Sequence, residues 1–385
     1  MNRKEMKTAL LSANMLVSKH NDIVYDVGSS MHNGKRLALK FDTLGNSEYE
    51  EITRADLLKT IQAAAALVKT PSPQAAGNVR LEIPSVHMRD LRKLDNVFAV
   101  SNEPTLVVRQ QAILVNADPV RAVILRDSCL VFLPDGADSL VSLLKGCFKE
   151  QMMHSNNIAF EFGALEAILH TTCKVLSNDC FKILPVAKAS VDRMARDDLP
   201  MGDMETLRAL KNSINELHTQ INGVRRMLME ILENEEDLHM LYLTKIYQEP
   251  QLTHDLLCFD TEDAESLIEV YLQDIYATQT SVSLMINNIQ NTESMVMLKL
   301  DTKRNYLLTV DLTLTMWTTM LTVSTFIVGG FGMNLNSNIQ LLDYIFYIVF
   351  GLCCIFPAIG VWLVTQHLEK IGINMSWKTG KFIKY

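Results

Sequence analysis

The seven cysteines of this 385-residue chain, at positions 129, 147, 173, 180, 258, 353 and 354, form no CxxC pair and no metal-finger spacing. Two of them lie inside an apolar run near the C-terminus. The set reads as reduced, buried thiols in a chain whose soluble part faces a reducing compartment. No glycine-rich phosphate loop, nucleophile elbow or paired-carboxylate motif occurs in a suitable setting, which sets the common enzyme classes aside. A net charge of −8 argues against nucleic acid as a partner. The N-terminus carries no secretory signal. Arg3, Lys4, Lys7 and Lys19 stand there against one acid, Glu5, before Asp22. That pattern suits an Arg-poor organelle-targeting segment or a solvated basic end.

Two further absences concern architecture. From Leu312 to Leu342 there is no charged side chain, and from Tyr344 to Gln366 there is none again. A bilayer core needs about 20 mainly apolar residues per helix, so this region holds two membrane spans. A buried hairpin of a soluble protein is the competing reading, but soluble helices rarely stay uncharged on every face for so long. No proline occurs between Pro250 and Pro357, and no glycine between Pro250 and Gly329. A helix starting near Thr261, with Glu262 and Asp263 favourable in its first turn, therefore runs unbroken into the first span. Its length is about 70 residues, or roughly 100 Å at 1.5 Å per residue. Its seam is Ile268, Tyr271, Ile275, Thr278, Val282, Met285 and Ile289. Such a helix outreaches any single core and reads as a stalk.

Upstream, Leu207, Leu210, Ile214, Leu217, Ile221, Val224, Leu228 and Ile231 repeat at alternating spacings of three and four, a heptad seam that Pro250 interrupts. The N-terminal part mixes helices and strands. Arg36–Phe41 reads as a strand and Arg54–Val68 as a helix, before Thr70-Pro71-Ser72-Pro73 and Gly77 break the chain. Short β-branched runs follow at Val79–Ile83, Thr105–Val108, Ala112–Val115, Val120–Leu125 and Cys129–Leu133, and then a helix around Phe160–Leu176. Arg126-Asp127-Ser128 joins the last two runs as a hairpin. The expected order is an N-terminal extension with the targeting segment over 1–77, an α/β soluble domain over 78–200 and a long helical stalk over 201–308. A first span over 309–334, an outer loop over 335–342, a second span over 343–367 and a basic C-terminal tail over 368–385 complete it.

The first span is not apolar all round. Asp311, Thr315, Thr318, Thr322, Thr325 and Gly329 are spaced 4, 3, 4, 3, 4. At 100° per residue they fall within about 40° of one line. Projected backwards, Arg304 and Glu293 join that line. Threonines and a glycine also suit packing against another helix. Asp311 tips the balance, because an ionisable group at a span's edge is costly unless it faces water or a partner. One helix cannot enclose a pore, so a pore requires several copies around an axis. Hydroxyl, amide and carboxylate oxygens suit a hard cation such as Mg2+, and no His/Cys cluster points to a soft metal. Lys299, Lys303 and Arg304 precede the first span, Lys370, Lys378, Lys381 and Lys384 follow the second, and the segment 334–342 has no basic residue. By the positive-inside rule both termini lie on the inner side.

Gly332-Met333-Asn334, directly after the first of two C-terminal spans, resembles the signature of the CorA/Mrs2/MGT magnesium-transporter superfamily. Further segments look like its eukaryotic Mrs2 branch: Arg89-Asp90-Leu91-Arg92 with Leu94-Asp95, Ala112–Asn116, Phe160-Glu161-Phe162 leading to Ala164-Leu165-Glu166, Met240–Thr244 and Leu300–Asn305. Together they cover roughly residues 79–370. The resemblance implies a funnel-shaped homopentamer with an α/β soluble domain, long stalk helices and two C-terminal spans, the first lining the pore. It implies a ring of Asn334 holding hydrated Mg2+ at the outer mouth, with Gly332 and Met333 shaping that turn. Asp301 and Arg304 would ring the inner pore. Glu233, Glu235, Glu236 and Asp237 are the candidates for a regulatory Mg2+, though a solvated acidic helix end also fits them.

The sequence departs from the family pattern in two places. Phe331 precedes the motif where bacterial relatives have tyrosine, and the loop after Asn334 has no acid until Asp343. Met316, Trp317 and Met320 read as apolar constrictions or as ordinary packing residues. The expected activity is passive, potential-driven influx of Mg2+ through a pentameric pore in a lipid membrane. The mitochondrial inner membrane is favoured over other organelle membranes or the plasma membrane. A coupled carrier of Zn2+, Co2+ or Ni2+ is the rival within transport, and a non-conducting membrane-tethered structural protein the rival outside it.

Overall fold

The computed structural model describes residues 35–66, 85–94, 103–109, 111–132, 137–154, 158–196, 201–249, 260–333 and 344–370. The chain divides into two compact units, Met1–Gln290 and Asn291–Tyr385. The first holds a six-stranded antiparallel sheet. Its strands are β1 (Lys35–Asp42), β2 (Ser47–Thr53), β3 (Thr105–Arg109), β4 (Ala112–Ala117), β5 (Val120–Ile124) and β6 (Ser128–Phe132), in the order β2-β1-β6-β5-β4-β3. The turns are written locally. In β1–β2, Asp42 Oδ1 accepts from the amides of Leu44 (3.0 Å) and Asn46 (2.7 Å), and Gly45 takes φ +77°. In β5–β6 the Leu125 amide donates to the Ser128 carbonyl at 2.8 Å, across the Arg126-Asp127 tip.

The central strands are buried on both faces, which is why β4, β5 and β6 read as near-continuous apolar runs rather than as alternating ones. On one face Ala38, Ile52, Ala112, Leu114, Val123 and Leu130 pack with Leu57 and Ile61 of α1 (Arg54–Ala66) and Leu91 and Leu94 of α2 (Met88–Leu94). Asp90 ties α2 to the sheet edge. It is buried, accepts from the His87 amide at 3.1 Å and pairs with Arg109 Nε of β3 at 3.6 Å. On the other face Phe41 stacks on Phe148 of α3 (Asp138–His154), with ring centroids 3.8 Å apart.

Two expectations need correction here. The extension expected over 1–77 does not hold for residues 35–53, because β1 pairs with β6 from Ala38↔Phe132 to Asp42↔Ser128 and brings β2 with it into the sheet. Thr70-Pro71-Ser72-Pro73 and Gly77 lie outside the described residues. The helix expected at 160–176 continues to Arg196 as α4 (Phe160–Arg196) and passes through Pro185. Its buried seam explains why: Cys173, Leu176, Cys180, Ile183, Ala187, Ser190 and Met194 keep the three–four spacing past the proline. The strand expected at 79–83 lies outside the described residues.

α4 packs along α5 (Met201–Glu233), whose heptad seam from Leu207 to Ile231 is buried throughout. α5 ends well before Pro250. Asn234 stops it, its side chain accepting from the Glu236 amide at 3.2 Å as the cap of α6 (Glu235–Met240). α7 (Leu243–Gln248) follows. α8 then runs from Glu262 to Phe331 as one 70-residue helix. Its seam residues Ile268, Tyr271, Ile275, Val282 and Ile289 are buried. Gln279 Nε2 donates to Asn222 Oδ1 of α5 at 2.7 Å, and Tyr271 meets His170 of α4 edge-on at 6.3 Å.

In the second unit the C-terminal half of α8 is accompanied by α9 (Ile345–Lys370), which continues through Pro357. Both helices are long and apolar enough to cross a membrane, and 11% of each apolar window is buried. That exposure separates them from the core hairpin of a soluble protein, whose side chains would be covered.

One close approach is testable. A Cβ built on Gly223 of α5 meets Pro104 Cδ at 2.6 Å and Cγ at 2.9 Å. The pyrrolidine ring cannot rotate away. Gly223→Ala is expected to lower thermal stability despite the better helix former, since overpacking of up to about 3 kcal/mol exceeds a propensity gain of about 1 kcal/mol. Thermal melting of the detergent-solubilised protein measures it.

Candidate pore-lining site

The unbroken backbone of α8 sets Asp311, Thr315, Thr318, Thr322, Thr325 and Gly329 on one face, and all six are exposed in the protomer. Roughly half a turn away, about 140–220° from Asp311, stand Met316, Met320 and Ser324. This opposite face is the covered one. Met316 packs with Val361 of α9, and Trp317, Met320, Val364 and Leu368 close around the pair. Ser324 is buried as well. Within one protomer the polar stripe and the packing face are therefore separate. Met316, Trp317 and Met320 belong to the helix–helix contact, so of their two readings packing holds rather than an apolar constriction.

The hydroxyls of the stripe have a defined orientation. Thr318, Thr322 and Thr325 donate to the carbonyls of Leu314, Thr318 and Leu321, the last two at 2.7 and 2.9 Å. Each hydroxyl hydrogen turns back into the helix, and the oxygen lone pairs remain for whatever lies outside it. The stripe is thus a row of neutral acceptors with one carboxylate, Asp311, near its inner end. Asp301 and Arg304 precede it on the same helix and are both exposed.

At the other end the helix closes without strain. The Gly332 amide donates to the Val328 carbonyl at 3.0 Å, and Met333 to Gly330 at 3.4 Å. A Cβ on Gly329 or Gly330 would meet nothing within 4 Å, so nothing in the protomer requires glycine there. Asn334, the loop 335–342 and Asp343 lie outside the described residues.

The four acids proposed for a regulatory ion sit at the α5–α6 junction. Asn234 Nδ2 donates to Asp237 Oδ2 at 2.7 Å. Burial pushes the Asp237 carboxyl up, while Arg109 and the Asn234 bond pull it back. Glu233, Glu235 and Glu236 are exposed. Among the described residues no group of three or more His, Cys, Asp or Glu is placed to hold a metal ion.

Sequence reasoning missed Gly360. A Cβ there would meet Met320 Sδ at 2.7 Å, so the thioether lies against the bare backbone of α9. A glycine inside an apolar span was the available signal, but Gly351 in the same span gives it equally and meets nothing within 4 Å.

A family model described as the MRS2-like magnesium transporter matches residues 77–304 of the chain. The chain belongs to the MRS2-like family. The mitochondrial inner membrane magnesium transporter MRS2 of Candida albicans is 30% identical over 312 residues, covering 76% of this chain and 63% of that protein. The magnesium transporter MRS2-4 of Arabidopsis thaliana is 23% identical over 372 residues, covering 81% and 79%. The chain thus spans a little under two-thirds of the length of the fungal relative. Full-length CmaX shares the fold, with a TM-score of 0.51 at 13% identity over 89% of this chain and 99% of that one. The MRS2-like match ends at Arg304, before the stripe, and begins after β1 and β2.

The α8–α9 contact yields a graded prediction. Gly360→Ala should be tolerated, because the tip of Met320 can swing aside. Gly360→Leu cannot be accommodated that way and is expected to cost about 1–3 kcal/mol. Melting temperatures of the two variants in detergent separate these outcomes.

Proposed function

We propose that the protein is a Mg2+ channel, assembled as a homopentamer around the polar stripe of α8. The observation that carries this reading is the exposure of Asp311, Thr315, Thr318, Thr322, Thr325 and Gly329 on the face of α8 opposite its contact with α9. An exposed carboxylate and hydroxyls on a membrane-length helix need water or partners, and a ring of copies supplies both. The names of the mitochondrial relatives support Mg2+ as the ion and the inner membrane of mitochondria as the location.

In such a ring the acceptor oxygens of Thr315, Thr318, Thr322 and Thr325 would face a cation that keeps its waters, since Mg2+ dehydrates reluctantly. The waters donate and the threonine oxygens accept. Five copies of Asp311 would concentrate cations at the inner end of the stripe, with Asp301 and Arg304 below them. Asn334, following Gly332 and Met333, would be the selecting ring at the outer mouth. Influx is then passive. A divalent ion gains about 4.6 kcal/mol per 100 mV of inside-negative potential, twice the single-charge value. Basic flanks at Lys299, Lys303 and Arg304 and from Lys370 onward keep both termini on that negative side. A regulatory Mg2+ at Glu233, Glu235, Glu236 and Asp237 would draw ligands from a neighbouring copy.

Reconstitution into proteoliposomes tests the reading. Asn334→Ala is expected to cut potential-driven Mg2+ influx by at least about tenfold, the effect of losing roughly 1.4 kcal/mol of selective stabilisation. Undiminished flux would remove Asn334 from the filter. Asp311→Asn should lower flux severalfold at low ionic strength and less at high salt, where screening already weakens the carboxylate ring. Zn2+, Co2+ or Ni2+ flux that follows an imposed proton gradient would replace the channel with a coupled carrier.

A further inference from the structure

The first turn of α4, the bend between α6 and α7, and the first turn of α8 meet through three contacts. Glu161 is 1% exposed, and its carboxylate accepts from the Thr244 amide and the Thr244 hydroxyl, both at 2.8 Å. Thr244 stands in the first turn of α7, so this carboxylate caps a helix distant in sequence. Next to it, Phe162 meets Tyr242 edge-on with centroids 4.7 Å apart. Tyr242, also buried, accepts with its hydroxyl from the Ala264 amide at 3.4 Å. Ala264 is in the first turn of α8, where amides have no partner inside the helix. The neighbouring caps are separate: Asp260 Oδ1 takes the Glu262 amide at 3.0 Å, and the Thr261 hydroxyl donates to Glu265 Oε1 at 2.7 Å.

A carboxylate buried this deeply is expensive unless it is hydrogen-bonded and paired, as Glu161 is with Thr244. Burial pushes Glu161 up, and its bonds to Thr244, a bond to its own backbone amide and the charge of Arg126 oppose that. Arg126, from the β5–β6 hairpin, in turn lies 3.8 Å over the ring of Tyr247 in α7. Sheet, α4, α7 and α8 are therefore joined at one node, and the node touches α8 through Tyr242. Both segments involved, Phe160–Phe162 and Met240–Thr244, are remote from the polar stripe in sequence.

We propose that Tyr242 is the positioning residue that gears the pore helix to the α/β domain, with Glu161 and Thr244 holding it in place. The inference rests on the reading of α8 as the pore-lining helix. From Ala264 to Val328 that helix contains neither proline nor glycine, so a change at its first turn has no hinge in which to be absorbed.

The test combines hydrogen exchange with transport by the full-length protein. Tyr242→Phe keeps the ring and removes the hydroxyl, while Glu161→Gln keeps the shape and removes the charge that holds Thr244. Either is expected to speed amide exchange over residues 262–266 about fivefold, the equivalent of one hydrogen bond of about 1 kcal/mol. Each should also reduce maximal Mg2+ influx severalfold at an unchanged half-saturating Mg2+ concentration. Because the two act in series, the double variant should match the single ones, whereas independent losses of stability would add. Thr244→Ser, which keeps the hydroxyl and the amide, should behave as the unaltered protein. Unchanged exchange in Tyr242→Phe, additive effects in the double variant, or altered exchange with unaltered influx would each overturn the proposal. Unaltered protein that passes no Mg2+ would instead sink the channel reading, and the exchange data would still decide the link at Ala264.

Discussion

The contact of Met316 and Met320 with α9 decides which side of α8 is left uncovered, and the candidate site follows from that choice. A membrane-length helix has little to gain from burying one apolar face rather than another, because lipid is as apolar as a leucine side chain. Close packing therefore does the selecting. Gly360 lets the Met320 thioether approach the α9 backbone, and Val361 covers Met316. With that face occupied, the hydroxyls and Asp311 are turned outward. Among the described residues of one protomer nothing covers them, and that supports the proposal of several copies.

The first unit obeys a different solvent and is built differently. Its sheet is sealed on both faces by apolar contacts, and the long helices lie together through heptad seams whose members are nearly all buried. Two buried carboxylates inside it have specific partners: Asp90 with Arg109, and Glu161 with Thr244. The first joins a helix to the strand that follows it, and the second joins elements 83 residues apart. Buried polar contacts of this kind fix relative geometry more than they add stability, since desolvation offsets much of their attraction.

Local periodicity made much of this architecture legible in the sequence. The strands at 105–108, 112–115 and 120–125 carry β-branched runs, the seam of α5 repeats by heptads, and the stripe of α8 keeps its spacing because nothing in that stretch can break a helix. What escaped was non-local or depended on competition between signals. Nothing within β1 announces that its partner is β6, some ninety residues on. Pro185 removes one backbone bond from α4, and the seam from Cys173 to Met194 outweighs that loss. Asn234 is an ordinary polar residue until its side chain is seen capping α6. At the site, the stripe and its phase were readable, whereas the covering of Met316 and Met320 required knowing where α9 lies.

The inward-turned hydroxyls have a consequence for charge other than metal ions. Thr318, Thr322 and Thr325 each spend their only hydrogen on a backbone carbonyl, and in none of them does it point along the row to the next side chain. A relay of protons from one hydroxyl to the next would need each to swing away and give up a bond of about 1 kcal/mol. A pore wall built from this stripe, as proposed, would be a poor proton wire, and a membrane that stores energy as a proton gradient could hold such a helix without being short-circuited by its threonines.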